Sequence, residues 1–101
     1  MQFIQSTGEN TVVTLKDRLD YSTAAALMEE LKTLVGQDIK RIDFHCGDLA
    51  YISSTGIRCM VFVKQKIDKN VDLDVCLHHV RQEVKDVFTL SGLEDYFEFV
   101  D

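Results

Sequence analysis

The chain has 101 residues, 46% of them hydrophobic and 28% charged, the length and makeup of one globular domain built on one core. Lysines and arginines number 11 against 17 acidic residues, a formal net charge of −6. That sign is wrong for a surface that neutralises phosphates, so nucleic acid and anionic membranes are excluded as first expectations.

In chain order, Gln2–Gln5 and Thr11–Lys16 read as the strands of a hairpin around Gly8 and Asn10, the second rich in β-branched residues. Tyr21-Ser22-Thr23 opens a helix that Ser22 or Thr23 can cap. Its apolar face carries Ala24, Leu27, Met28, Leu31, Leu34 and Val35, and Gly36 marks its end. Arg41–Phe44 is a short strand; past Gly47 and Asp48 comes a separate apolar stretch, Leu49–Ile52. A second helix runs from Ile57 to Ile67, with Ile57, Met60, Val61 and Ile67 facing the core and Phe62 and Val63 off that stripe. Val71–Leu77 alternates as a strand, with Val71, Leu73, Val75 and Leu77 on one side and Asp72, Asp74 and Cys76 on the other. A third helix carries Val80, Val84, Val87 and Phe88 and stops at Gly92, and Tyr96–Val100 is a last edge segment. The order ββαβαβαβ predicts an α/β fold (α+β on a strict reading). It is a single domain over residues 1–101, with a mixed central sheet of about five strands, parallel past the first hairpin, and helices packed against it.

Cys46, Cys59 and Cys76 are odd in number and form no C-x-x-C pair, which argues for buried thiols in a reducing compartment. The N-terminus lacks the basic and apolar regions of a signal peptide, and no apolar run approaches the ~18 residues of a membrane span. A cytoplasmic protein without direct membrane insertion is expected. His45-Cys46 and Cys76-x-His78-His79 match no standard zinc spacing, no G-x-S-x-G elbow or Gly-rich phosphate loop occurs, and Glu29, Glu30, Asp72 and Asp74 read as solvated faces. No metal, cofactor or enzymatic activity is predicted.

The informative segment is Ile52-Ser53-Ser54-Thr55-Gly56, where a strand delivers three hydroxyls and a glycine to a helix start. Such a place has unpaired backbone N–H groups and the positive end of the helix dipole, and it tolerates an anion. Capping alone would select the same residue types, so spacing does not decide between a cap and a functional hydroxyl.

Leu49-Ala50-Tyr51-Ile52-Ser53-Ser54-Thr55-Gly56-Ile57-Arg58 resembles the signature of STAS domains, the bacterial anti-sigma-factor antagonists. Leu19-Asp20-Tyr21-Ser22-Thr23-Ala24 resembles the family's early turn into its first helix, and the stretch from Val80 to Leu93 its closing helix and cap. The resemblance implies a protein switched by phosphorylation at Ser54. Unmodified, it would bind an anti-sigma factor with serine kinase activity and free the sigma factor; phosphorylation would release it, and a metal-dependent serine phosphatase would reset it. The partner-binding residues so implied are Asp20, Tyr21, Ser53, Ser54, Thr55 and Gly56. On the following helix, Phe62 either packs beneath a neighbouring helix or joins Arg58 and Gln65 as a partner-facing side, which would add Arg58 and Phe62 to the partner-binding residues. Ser53 stands where the family often has Asp, and it can cap the helix as Asp would. The alternative implied is a STAS scaffold or regulatory subunit of a stress-sensing assembly or of a lipid or anion transporter.

Overall fold

The computed structural model describes residues 2–67 and 73–100, the side chains of residues 66 and 67 excepted. The strands are β1 (Ile4–Ser6), β2 (Asn10–Leu19), β3 (Arg41–Ile52), β4 (Asp74–His78) and β5 (Glu98–Val100). The helices are α1 (Tyr21–Lys32), α2 (Ser54–Phe62) and α3 (Gln82–Leu90). The five strands form one sheet in the order β1-β2-β3-β4-β5. Only the β1–β2 pair is antiparallel; each later pair is parallel, as helical crossovers require. Element order and mixed sheet agree with the sequence reading.

Core residues alternate along the strands: Val13 and Leu15 on β2, Ile42, Phe44 and Cys46 on β3, Val75 and Leu77 on β4. Ala24, Leu27 and Leu31 of α1, Ile57, Cys59 and Met60 of α2, and Val84 and Phe88 of α3 belong to the same buried cluster. All three helices therefore cover one face of the sheet. The opposite face carries Asp43, His45, Cys76, His78 and Glu98, the alternate residues of β3, β4 and β5.

Several expectations need correction. Arg41–Phe44 and Leu49–Ile52 are one strand of twelve residues. Register shifts between Thr14 and Lys16 and between Asp17 and Arg18 let β2 pair with it to the end, Asp17 adopting φ 61° at the second. Val63, read as off the α2 stripe, is fully buried, whereas Val61 is half-buried. The chain past Phe62 runs on as a π-helical turn, Val63–Ile67, which departs from the 3.6-residue period. Val35 is 41% exposed because α1 ends at Lys32 and a turn follows, with Gly36 at φ 86°. Val80 precedes α3 instead of lying on it. Val71 and Asp72 lie outside the described residues. Cys76, expected on the polar side, does face away from the helices yet is fully buried, its thiol 3.6 Å from the Glu98 carboxylate.

Glu30 is no solvated residue either. Its carboxylate accepts the backbone N–H of Phe3 and of Ile4, both at 3.0 Å, and so ties the N-terminal strand to α1. Charge-assisted bonds of this kind contribute roughly 1.5–3 kcal/mol each.

Candidate functional site

Two helix starts lie side by side, and one carbonyl joins them. β2 ends at Leu19 and hands the chain to the cap of α1; β3 ends at Ile52, its parallel partner in register, and hands the chain to the cap of α2. The Leu19 carbonyl accepts both the backbone N–H and the hydroxyl of Ser53, each at 2.9 Å. The residues that differ in sequence by more than thirty positions, Asp20-Tyr21 and Ser53-Ser54, are thereby held together at one edge of the domain.

Asp20, not Ser22 or Thr23, caps α1. Its carboxylate accepts the N–H of Thr23 at 3.1 Å while the Thr23 hydroxyl lies 2.9 Å from the Asp20 N–H, a reciprocal capping box. The Thr23 hydroxyl also lies 2.7 Å from the Arg18 carbonyl, which it can reach as donor. The hydrogen bonds from the Thr23 amide and hydroxyl hold the Asp20 carboxyl below the usual carboxylate range. Tyr21, the first residue of α1, is 77% exposed.

Ser53 caps α2 as the sequence suggested. Its hydroxyl accepts the N–H of Gly56 at 3.1 Å and donates to Leu19, so both of its roles are structural. The first bond of the helical ladder runs from the Ile57 N–H to the Ser53 carbonyl at 2.9 Å. Upstream of it, the amides of Ser54 and Thr55 have no helical partner. Ser54 itself is exposed, and its hydroxyl bonds to no described residue. Two adjacent serines thus have opposite duties: one holds the turn, the other is presented.

Gly56 is buried where α2 crosses the ends of β2 and β3. A Cβ there would lie 2.7 Å from Ile52 Cγ1 and 3.0 Å from Leu19 Cδ2. Glycine at this position allows the hydroxyl-bearing turn to sit flat on the two strand ends.

The remaining predicted residues follow the helix. Thr55 is half-buried, and Arg58 is exposed one turn after Ser54. Phe62 is half-buried and packs against the core, at the far end of α2, about 12 Å along the axis from Ser54. Gln65, beyond it, is exposed.

Two residues that sequence reasoning missed belong to this edge. Arg18 and Tyr51 are cross-strand neighbours, and the guanidinium lies 4.3 Å from the centre of the Tyr51 ring. Tyr51 remains 42% exposed. No local pattern announces the pair, because the register shift that brings them opposite is a tertiary property. Asp20 as a cap was legible: Asp-x-x-Thr ahead of an apolar-periodic run is a capping signal.

The histidines and cysteines do not join this edge. His78 Nε2 lies 2.7 Å from Asp43 Oδ1, and its ring stacks on His45 at 5.1 Å between centres. Burial alone would raise the Asp43 carboxyl, but hydrogen bonds from Arg41 and His78 outweigh it and hold the group below the usual range. Burial pushes the Cys46 thiol up to about 12 and the Cys59 thiol up to about 11, and it raises Cys76 as well.

A five-stranded mixed sheet with three helices on one face, and a serine-rich turn at the start of the second helix, defines the class. The chain belongs to the STAS domain family, whose model matches residues 3–101. It is 28% identical over 86 residues to BtrV of Bordetella bronchiseptica, which carries the name of an anti-sigma factor antagonist; the match covers 85% of this chain and 73% of that one. Among solved structures it is similar to the anti-sigma factor antagonist SpoIIAA in its unphosphorylated form (TM-score 0.82, 16% identity, 97% of this chain and 86% of that one). The phosphorylated form of the Bacillus protein SpoIIAA is also similar, at a TM-score of 0.74 and 18% identity over 97% of this chain and 89% of that one. No described helix is long and apolar enough to cross a membrane.

Proposed function

We propose that the protein is an anti-sigma-factor antagonist switched by phosphorylation of Ser54. The observation that carries this reading is the division of labour at the α2 cap: Ser53 is bonded on both sides, while Ser54 projects from the same turn with an uncommitted hydroxyl. In the unmodified state this edge, with Asp20, Tyr21, Ser53, Ser54, Thr55, Gly56, Arg58 and the rim of Phe62, binds an anti-sigma factor that is also a serine kinase. The kinase transfers the γ-phosphoryl group of ATP to Ser54 Oγ. The hydroxyl proton goes to a base of the kinase, and ADP leaves. The names of BtrV and SpoIIAA support this class of function, and the existence of SpoIIAA in two phosphorylation states supports this kind of control.

The energetics suit a switch without a large conformational change. A phosphoserine adds about −1.5 to −2 charges and is locally tolerated by the helix start. Buried against a partner it is far costlier than a hydroxyl. A penalty of about 3–4 kcal/mol weakens binding by roughly 10²–10³. A metal-dependent phosphatase restores the hydroxyl by hydrolysis. Incubation with the cognate kinase and ATP should add one phosphate to the wild type and none to Ser54→Ala. Phosphate found on Ser53 or Thr55 of the wild type refutes the site.

A further inference from the structure

The outward stripe of α2 runs through Ser54, Arg58 and Phe62, each four residues from the last. Arg58 is exposed, and its guanidinium makes no hydrogen bond or ion pair to any described residue. The other arginine at this edge, Arg18, is laid over the Tyr51 ring. Arg58 is therefore an uncommitted cation one helical turn from the uncommitted hydroxyl.

Helix residues four apart have Cβ atoms about 5–6 Å from each other, and an acid placed N-terminal to a base is the favourable order. An unmodified Ser54 offers Arg58 only a neutral oxygen. A phosphate there would offer acceptor oxygens in the geometry that a guanidinium fork matches. We propose that Arg58 is the intramolecular receiver of the Ser54 phosphate, a positioning residue that grips the phosphoryl oxygens within its own helix. The inference rests on the reading of Ser54 as the modified residue. Its consequence is that phosphorylation acts twice on the docking surface: it adds an anion and withdraws a cation. An aspartate at position 54, shorter and singly charged, reproduces only part of this.

Asp20, at the neighbouring cap, opposes a second ionisation of the phosphate, and the start of α2 favours it; both are the same in every Arg58 variant and drop out of a comparison. Phosphoserine installed at position 54 during translation removes any need for a kinase. The second ionisation of that phosphate, ordinarily near pKa ~6, is then followed by ³¹P NMR in the wild type, R58K and R58Q. The wild type should titrate about 0.4 below R58Q, a ~2.5-fold stronger acid, with R58K recovering part of the difference. Equal titration of the wild type and R58Q overturns the proposal. Thermal melting of unmodified R58Q should stay close to the wild type, since the side chain is exposed and has no hydrogen-bond or ion-pair partner among the described residues. Failure of a kinase to modify the wild type would count against the functional reading and leave this titration standing, so the two failures are distinguishable.

Discussion

Replacing Ser53 and Ser54 by alanine, one at a time, separates the structural hydroxyl from the functional one. Ser53→Ala removes an oxygen that accepts the Gly56 N–H at 3.1 Å and donates to the Leu19 carbonyl at 2.9 Å. Loss of a helix cap costs about 1 kcal/mol. The Leu19 carbonyl keeps the Ser53 backbone N–H, also at 2.9 Å, so it is not orphaned. The second lost bond then adds only about 0.5–1 kcal/mol. The total of about 1.5–2 kcal/mol lowers the melting temperature of a domain this size by roughly 6–15 °C. Ser54→Ala removes an exposed hydroxyl with no partner among the described residues and should stay within about 0.5 kcal/mol of the wild type. Urea unfolding of both variants measures the difference, provided the m-values agree. Equal losses, or a larger loss for Ser54→Ala, would refute the division of labour at the cap.

Other outcomes follow from the same geometry. Gly56→Ala places a Cβ 2.7 Å from Ile52 Cγ1. Overpacking of about 1–3 kcal/mol should outweigh the ~1 kcal/mol that alanine gains in helix propensity, and a raised urea midpoint would contradict it. The Asp20 carboxyl is held low in the folded chain, so its stabilisation is present above its unfolded pKa and lost as pH falls through the folded value. The stability gap between the wild type and Asp20→Asn should therefore shrink as the pH falls through and below the ordinary carboxylate range, whereas a gap independent of pH would refute the charged cap. With Cys46 near 12 and Cys59 near 11, neither is a thiolate at pH ~8. The native protein should resist alkylation at both until urea exposes them; rapid native labelling of Cys46 would contradict its burial.

Element order, the parallel sheet and the capping role of Ser53 were legible because each rests on a local rule: strand and helix periods, crossover handedness and the cap preference for hydroxyls. Strand ends were not. Along β3 the buried positions run Ile42, Phe44, Cys46, then Leu49, then Ile52, so the alternation slips phase twice. A period of two reads each slip as a break, whereas the paired strand absorbs them in register shifts. Glu30 looked like a surface acid on the outside of a helix. Only the return of the N-terminal strand onto α1 gives its carboxylate backbone amides to accept. At the site, the hydroxyl turn was legible, but the Leu19 carbonyl that joins the two caps and the Arg18–Tyr51 stack were not. Both depend on which strand ends lie adjacent, a property of the assembled sheet.

The central claim is that one phosphate on Ser54 turns binding off. The direct test is the affinity of the cognate anti-sigma kinase for the unmodified protein and for the protein carrying phosphate at Ser54, with Ser54→Ala as the unmodifiable control. The account predicts a dissociation constant about 10²–10³ higher for the phosphorylated form, and tight binding by Ser54→Ala whether or not ATP is present. Equal affinity of the two forms would contradict it.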